Sequence, residues 1–173
     1  MLTLAELEST VPEIAAPLRA KLEATGLCFL ATLRRDGSPR VSPLEVSFLD
    51  GGLYVGSMPG AMKARDLQRD PRAALVTPLA DKGDVGGEGK AFVHAVEITD
   101  PDAFRTIMGH AVEGIEGADL DDFGTSHLFE LRFTGAAWQK LDGDAWDTLS
   151  WVEGGPVRHR RREGPAGEPV EID

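Results

Sequence analysis

Lys63, Arg65 and Arg69 fall within seven residues of a chain whose formal net charge is −11. A local cluster of cations on an acidic protein suits a small anionic ligand, because it attracts negative charge at short range while the rest of the surface repels it. The alternative is a plain one: the three are the solvated face of a surface helix. Other chemistry has less support in the residues. Ser42 and Ser57 have no neighbouring His signature and no GxSxG occurs, so hydrolysis by an activated serine is not expected. His94, His110, His127 and His159 are scattered, without the spacing that presets a metal site, and Asp119, Asp121 and Asp122 lack the pattern of a calcium loop. No metal is expected, and no catalytic residue can be named. Cys28 is the only cysteine, which rules out an intrachain disulfide. Its flanks, LCFLA, place it in a buried strand as a small hydrophobe, in keeping with a reducing cytoplasm.

The elements that must position the cations follow from periodicity. Leu4, Leu7, Val11, Ile14, Leu18 and Leu22 recur at helical spacing, and Pro12 divides them into a short helix ending near Ser9 and a second beginning around Pro12, with Pro17 sitting badly inside it. Leu27 to Leu33 reads as a strand. Asp36-Gly37 turns it into a second marked by Val41, Leu44, Val46 and Phe48, where Pro43 requires an edge or bulge. Asp50-Gly51-Gly52 leads into a third strand, Leu53 to Ser57. Pro59-Gly60 and Asp70-Pro71 then bracket a short helix over Met62 to Arg69, so the cations are carried by one helix next to the end of the third strand. Strands follow at Ala73 to Thr77 and Ala91 to Ile98, separated by the glycine-rich loop DKGDVGGEG. Asp100 caps a helix opened by Pro101, and Gly114 to Gly124 is an acidic loop. His127 to Phe133, extended by Ala137 to Leu141, and Trp146 to Val152 complete the pattern. Trp138, Trp146 and Trp151 on this last hairpin mark core or dimer packing.

Some seven short strands with helices at the start, after the third and after the fifth predict a mainly β fold with peripheral α-helices, a small barrel. With 42% hydrophobic residues over 173 positions the chain can build one core. A single domain over 1–153 is expected, with 154–173 as a partly disordered tail, because few apolar residues follow Gly154. The acidic balance argues against nucleic acid or a membrane surface as partner. No run of eighteen apolar residues occurs, so a soluble, cytoplasmic protein is expected.

LATLRRDGSPRVSPLEVSF followed by GGLYVGSMPGAMKARDLQRDPRAALV resembles the FMN-binding split-barrel superfamily, the pyridoxamine 5'-phosphate oxidase-like proteins and their deazaflavin-using relatives. The resemblance covers roughly residues 25 to 100 well and the remainder in outline. It implies a split β-barrel, a homodimer with the cofactor at the interface, FMN as cofactor with the deazaflavin coenzyme F-420 as the alternative, and oxidoreductase activity on a small-molecule substrate. A non-catalytic flavin- or haem-binding carrier or sensor is a further alternative. By position, Arg40 falls where an oxidase arginine meets the phosphate, while Val41, Ser42, Pro43 and Leu44 run along the flavin ring and Ser57 and Met58 lie under the ring or ribityl chain. Lys63 matches a lysine at the helix start, where free N–H groups also favour a phosphate, and Arg65 matches a basic position of the deazaflavin users. Both Arg40 and Lys63 are expected to be exposed, so that replacing either by alanine would weaken cofactor binding at little cost to folding.

The departures are specific. Ala61-Met62-Lys63 stands where the oxidases have Ser-Arg-Lys, and Glu45 where they have a lysine. Losing two charge-assisted contacts of ~1.5 to 3 kcal/mol each could weaken a phosphate more than a hundredfold. The substrate-binding Arg-x-His of the oxidases has no counterpart in RHRRR, which argues against pyridoxamine phosphate oxidation itself.

Overall fold

In the computed structural model, residues 1–79, 86–114, 116 and 119–172 are described. Thr3 opens α1 (Leu4–Thr10) with a capping box, its hydroxyl accepting from the Glu6 N–H while the Glu6 carboxylate accepts from the Thr3 N–H. Val11 breaks the rod, Pro12 begins α2 (Pro12–Thr25) at a position that needs no N–H donor, and Gly26 ends it with a φ of 65°. All six apolar residues picked out by periodicity are buried in the main core.

Six strands close a barrel. β1 (Leu27–Leu33), β2 (Pro39–Leu49), β3 (Gly52–Ser57), β4 (Arg72–Val76), β5 (Glu88–Glu97) and β6 (His127–Asp142) pair antiparallel in the order β3-β2-β1-β4-β5-β6, and β3 pairs again with β6. α3 (Met62–Arg69) follows β3, and α4 (Pro101–Ala111), N-capped by Asp100, follows β5. Alternation sets the faces: Cys28, Leu30 and Thr32 of β1 are buried, as are Ala91, Val93 and Ala95 of β5, and α2 packs on β1, β5 and β6. Pro43 pairs with Phe29 on β1 in a part of β2 that β3 does not reach, so its missing donor faces an open edge. The expected mainly β barrel with peripheral helices is the fold observed. Among the described residues no helix is long and apolar enough to cross a membrane. Residues 81–85 of the glycine-rich loop lie outside the described residues, while Glu88 and Gly89 belong to β5.

The segment after Gly154 departs from the expectation of a partly disordered tail. β6 runs for 16 residues, beyond the barrel, and its far half carries β7 (Ala145–Val152), β8 (Arg158–Glu163) and β9 (Val170–Ile172) as an extension of the sheet. Charge pairing does there what apolar alternation does elsewhere. His159 and Arg161 project on one face of β8 and reach the buried carboxylate of Asp147 on β7 at 2.9 and 2.8 Å. The hydrogen bond from His159, helped by Arg161, holds the Asp147 carboxyl below the usual carboxylate range against the opposing effect of burial.

Cys28 is 1% exposed, and burial pushes its thiol up to about 12. A thiol kept protonated and covered is a poor nucleophile. A maleimide or disulfide reagent at mildly alkaline pH is therefore expected to leave the native protein unlabelled and to label it fully after denaturation, as read by intact mass.

Candidate functional site

β3 is joined to α3 by one tight turn. The Ala61 N–H donates to the Met58 carbonyl at 3.2 Å, with Pro59 and then Gly60, φ 70°, in the two central positions, as a type II turn requires. The turn delivers the start of α3 next to the end of β3. Ala61, the residue before the helix, offers no side-chain cap; its carbonyl accepts from the Ala64 and Arg65 N–H groups, while those of Met62 and Lys63 have no partner among the described residues. At the end of β3 the Ser57 hydroxyl is buried with no hydrogen-bond partner among the described residues. Lys63, half-buried in the first turn, has no ion pair among the described residues. Arg65 is exposed and folds back towards the Gly60 turn, where a β-carbon added to that glycine would lie 3.9 Å from its Nη2.

One turn further along α3 is Asp66, 1% exposed. Its Oδ2 accepts from Arg40 Nε at 2.7 Å and from the Thr32 hydroxyl at 3.2 Å, and its Oδ1 accepts from both terminal nitrogens of Arg69 at 3.3 Å. Burial pushes this carboxyl up, but the hydrogen bonds from Arg40, Thr32 and Arg69 outweigh it and hold the group below the usual carboxylate range. The opposite side of α3 is held as well: the Gln68 amide donates to Glu97 at 3.0 and 3.1 Å, and Glu97 meets His127 Nδ1 at 2.7 Å. The helix is thus fixed to β1 and β2 on one side and to β5 and β6 on the other.

These contacts change the reading of two cations. Arg69 is committed to Asp66 and to the carbonyl of Leu33, and so serves the fold. Arg40, expected to be exposed, has a side chain only 24% exposed and is bound to a buried carboxylate. The expectation that Arg40 is exposed is therefore corrected, and with it the ground for expecting its removal to cost little stability; nothing in the sequence placed Asp66 opposite it. The remaining candidates divide by strand alternation. Arg40 and Ser42 share the barrel side of β2 with the buried Leu44, whereas Val41 and Pro43 are exposed on the outer side, and Met58 is 78% exposed in the turn.

The outer side carries a feature that the residue types alone did not reveal. The ladder aligns Val41, Ala31, Ala74, Phe92, Gly135 and Val152 in one row across the barrel wall. Val41, Phe92 and Val152 are exposed by 64%, 59% and 61%, and Phe29 and Leu27 lie beside them at 42% each. On the same face, towards the β8 end, is an open cleft of about 410 Å³ lined by Trp146, Thr148, Gln139, Glu88, Arg160 and Arg162. Arg160 and Arg162 alternate with His159 and Arg161, which are bound to Asp147, and neither Arg160 nor Arg162 has an ion-pair partner among the described residues. Trp138 and Trp151 are core residues, as expected of the tryptophans, but Trp146 is 39% exposed in the cleft. Its neighbours Ala145 and Asp147 are buried on the opposite face of β7.

Among curated proteins no relative matches the sequence. Solved structures do match in fold. A Clostridium acetobutylicum protein related to general stress protein 26, of the pyridoxinephosphate oxidase family, shares 9% identity at a TM-score of 0.61, covering 78% of this chain and 91% of that one. Campylobacter jejuni ChuZ shares 18% at 0.68, covering 95% and 67%. The haem storage protein HutZ of Vibrio cholerae shares 18% at 0.57, covering 83% and 94%. The profile of the pyridoxamine 5'-phosphate oxidase family matches residues 14–140, well over half of the sequence, and with a closed barrel of the same architecture the chain belongs to that family within the FMN-binding split-barrel superfamily.

Proposed function

We propose that the protein is a homodimeric FMN-dependent oxidoreductase acting on a small molecule. The observation that carries this reading is the unsatisfied, buried hydroxyl of Ser57 beside an uncapped helix start with Lys63 in its first turn. A buried polar group without a partner costs about 1 to 3 kcal/mol, and a ligand that accepts from it removes that cost. The donor set is that of a phosphate cradle: helix N–H groups, an ammonium, a hydroxyl, and the free end of the Arg40 guanidinium. Lys63, Arg40 and Ser57 would hold the phosphorylated end, and Val41 and Pro43, on the outer face, would meet the ring where a second subunit covers it.

A bound flavin supplies hydride and electron transfer, which explains why no nucleophile or acid–base pair need stand in this sequence. The chain's own part is to bind, orient and exclude water. The apolar row through Phe92 and Val152 excludes water by pairing with a second copy, and the cleft on the same face gives the substrate a side lined by Trp146, Arg160 and Arg162, suited to a planar anion.

The test is a titration of the purified protein with FMN, coenzyme F-420 and haem, followed by absorbance and melting temperature. FMN is expected to bind with a flavin spectrum and to raise the melting temperature as its concentration passes the Kd. A rise with F-420 alone transfers the site to the deazaflavin. A rise with haem alone overturns the oxidoreductase reading in favour of a carrier, the alternative that the likeness to HutZ brings forward.

A further inference from the structure

We propose that Asp66 is a positioning residue for ligand binding, anchoring Arg40 by its Nε so that the two terminal nitrogens are held ready for an anion. This rests on the reading of the site as a phosphate cradle. A guanidinium has five N–H donors, and Asp66 engages only the one on Nε, leaving Nη1 and Nη2 of Arg40 without a partner among the described residues. The Asp66 carboxylate is itself saturated. Four donor nitrogens and oxygens, from Arg40, Thr32 and Arg69, occupy its two oxygens, so it has no lone pair left to compete for the Arg40 fork.

Charge supports the same division. Asp66 faces two arginines, so the group keeps one net positive charge, and Lys63 lies three residues before Asp66, on the same side of α3. The terminal nitrogens of Arg69 are taken up by Asp66 and the Leu33 carbonyl, whereas those of Arg40 stay open among the described residues. A free arginine on the surface would have to lose the freedom of its long side chain when it met a ligand. An arginine pinned at Nε between α3 and β2 has lost most of it already, and its planar fork keeps one orientation. Asp66 therefore acts on the ligand through Arg40 and does not touch it.

The test compares affinities for FMN and riboflavin, which differ only in the phosphate, by flavin fluorescence with wild type, Asp66→Asn, Arg40→Gln and the double variant. Asp66→Asn is expected to lower the preference for FMN over riboflavin by about ten- to hundredfold, the range of one charge-assisted contact, with riboflavin affinity unchanged. The double variant is expected to be no worse than Arg40→Gln, since one residue acts through the other. Equal losses for FMN and riboflavin, an unchanged preference, or full additivity would overturn the proposal while leaving the flavin site standing. If wild type binds neither compound, the flavin reading and this proposal fall together. Should Asp66→Asn fail to fold, Arg40→Lys serves instead. Lysine has the charge but cannot be anchored at one nitrogen and present two others, so the preference is expected to fall as far as in Arg40→Gln, and its retention would overturn the proposal.

Discussion

Asp66→Ala is expected to lower the unfolding free energy by about 3 kcal/mol, the low end of the range for breaking a buried ion pair from one side. The substitution strips the acceptor from Arg40, Arg69 and Thr32 at once. The two arginine side chains are 24% and 35% exposed and can recover some hydration, which keeps the loss from the top of the range. Arg40→Ala leaves Asp66 with Arg69 and Thr32 and is expected to cost less, about 1 to 2 kcal/mol. The pH dependence has a definite sign. The folded-state pKa of Asp66 is lowered, so its contribution is fully present above the ordinary carboxylate range and is lost as pH falls through the depressed value. Urea denaturation of wild type and Asp66→Ala, at neutral pH and again below the carboxylate range, reads both effects. The difference between the two proteins is expected to shrink in acid. A loss under about 1 kcal/mol at neutral pH would mean that the carboxylate is hydrated and that α3 is held by its other side alone.

The barrel was legible because its signals are local. Helical spacing from Leu4 to Leu22, the Asp36-Gly37 and Asp50-Gly51-Gly52 turns and the alternation along β1 and β5 each act within a few residues, and the core follows them. The bounds of α3 were legible for the same reason, with a type II turn on one side and Asp70-Pro71 on the other. What escaped was set by pairing across long sequence separations. Asp66 meets Arg40 over 26 residues and Thr32 over 34, and a carboxylate within MKARDLQR carries no mark that distinguishes a buried hub from a solvated charge. β8 escaped because RHRRRE has no apolar alternation; its order depends on Asp147, 14 residues before Arg161. The cleft and the apolar row exist only once the register of six strands is known, since Val41 and Val152 are far apart in sequence and meet in one row through Ala31, Ala74, Phe92 and Gly135.

Phe92→Glu is expected to turn a dimer into a monomer. Phe92 stands at the centre of the exposed row, over Gly135, where an added β-carbon would come within 3.2 Å of the Phe92 ring; the missing side chain lets the ring lie flat against the wall between β4 and β6. Three more large apolar side chains, Phe29, Val41 and Val152, share the outer face with it, spaced by Ala31, Ala74 and Gly135, an apolar extent that a monomer seldom leaves to water. In a two-fold dimer the same patch is used by both subunits, so each substitution counts twice. Burying one unpaired carboxylate per subunit at ~2 to 3 kcal/mol each weakens association by about three to four orders of magnitude. The monomer itself is expected to keep its melting temperature within a few degrees, because the phenyl ring is 59% exposed within one chain. Sedimentation velocity at micromolar concentration distinguishes the outcomes: wild type sediments as a dimer and Phe92→Glu as a monomer. On the proposed reading FMN affinity is expected to fall with dissociation, since Val41 and Pro43 are on the same outer side of the barrel as Phe92 and would gain their cover from the second copy. A wild-type monomer that still binds FMN would show that one chain completes the site, and would reassign the row through Phe92 to another partner.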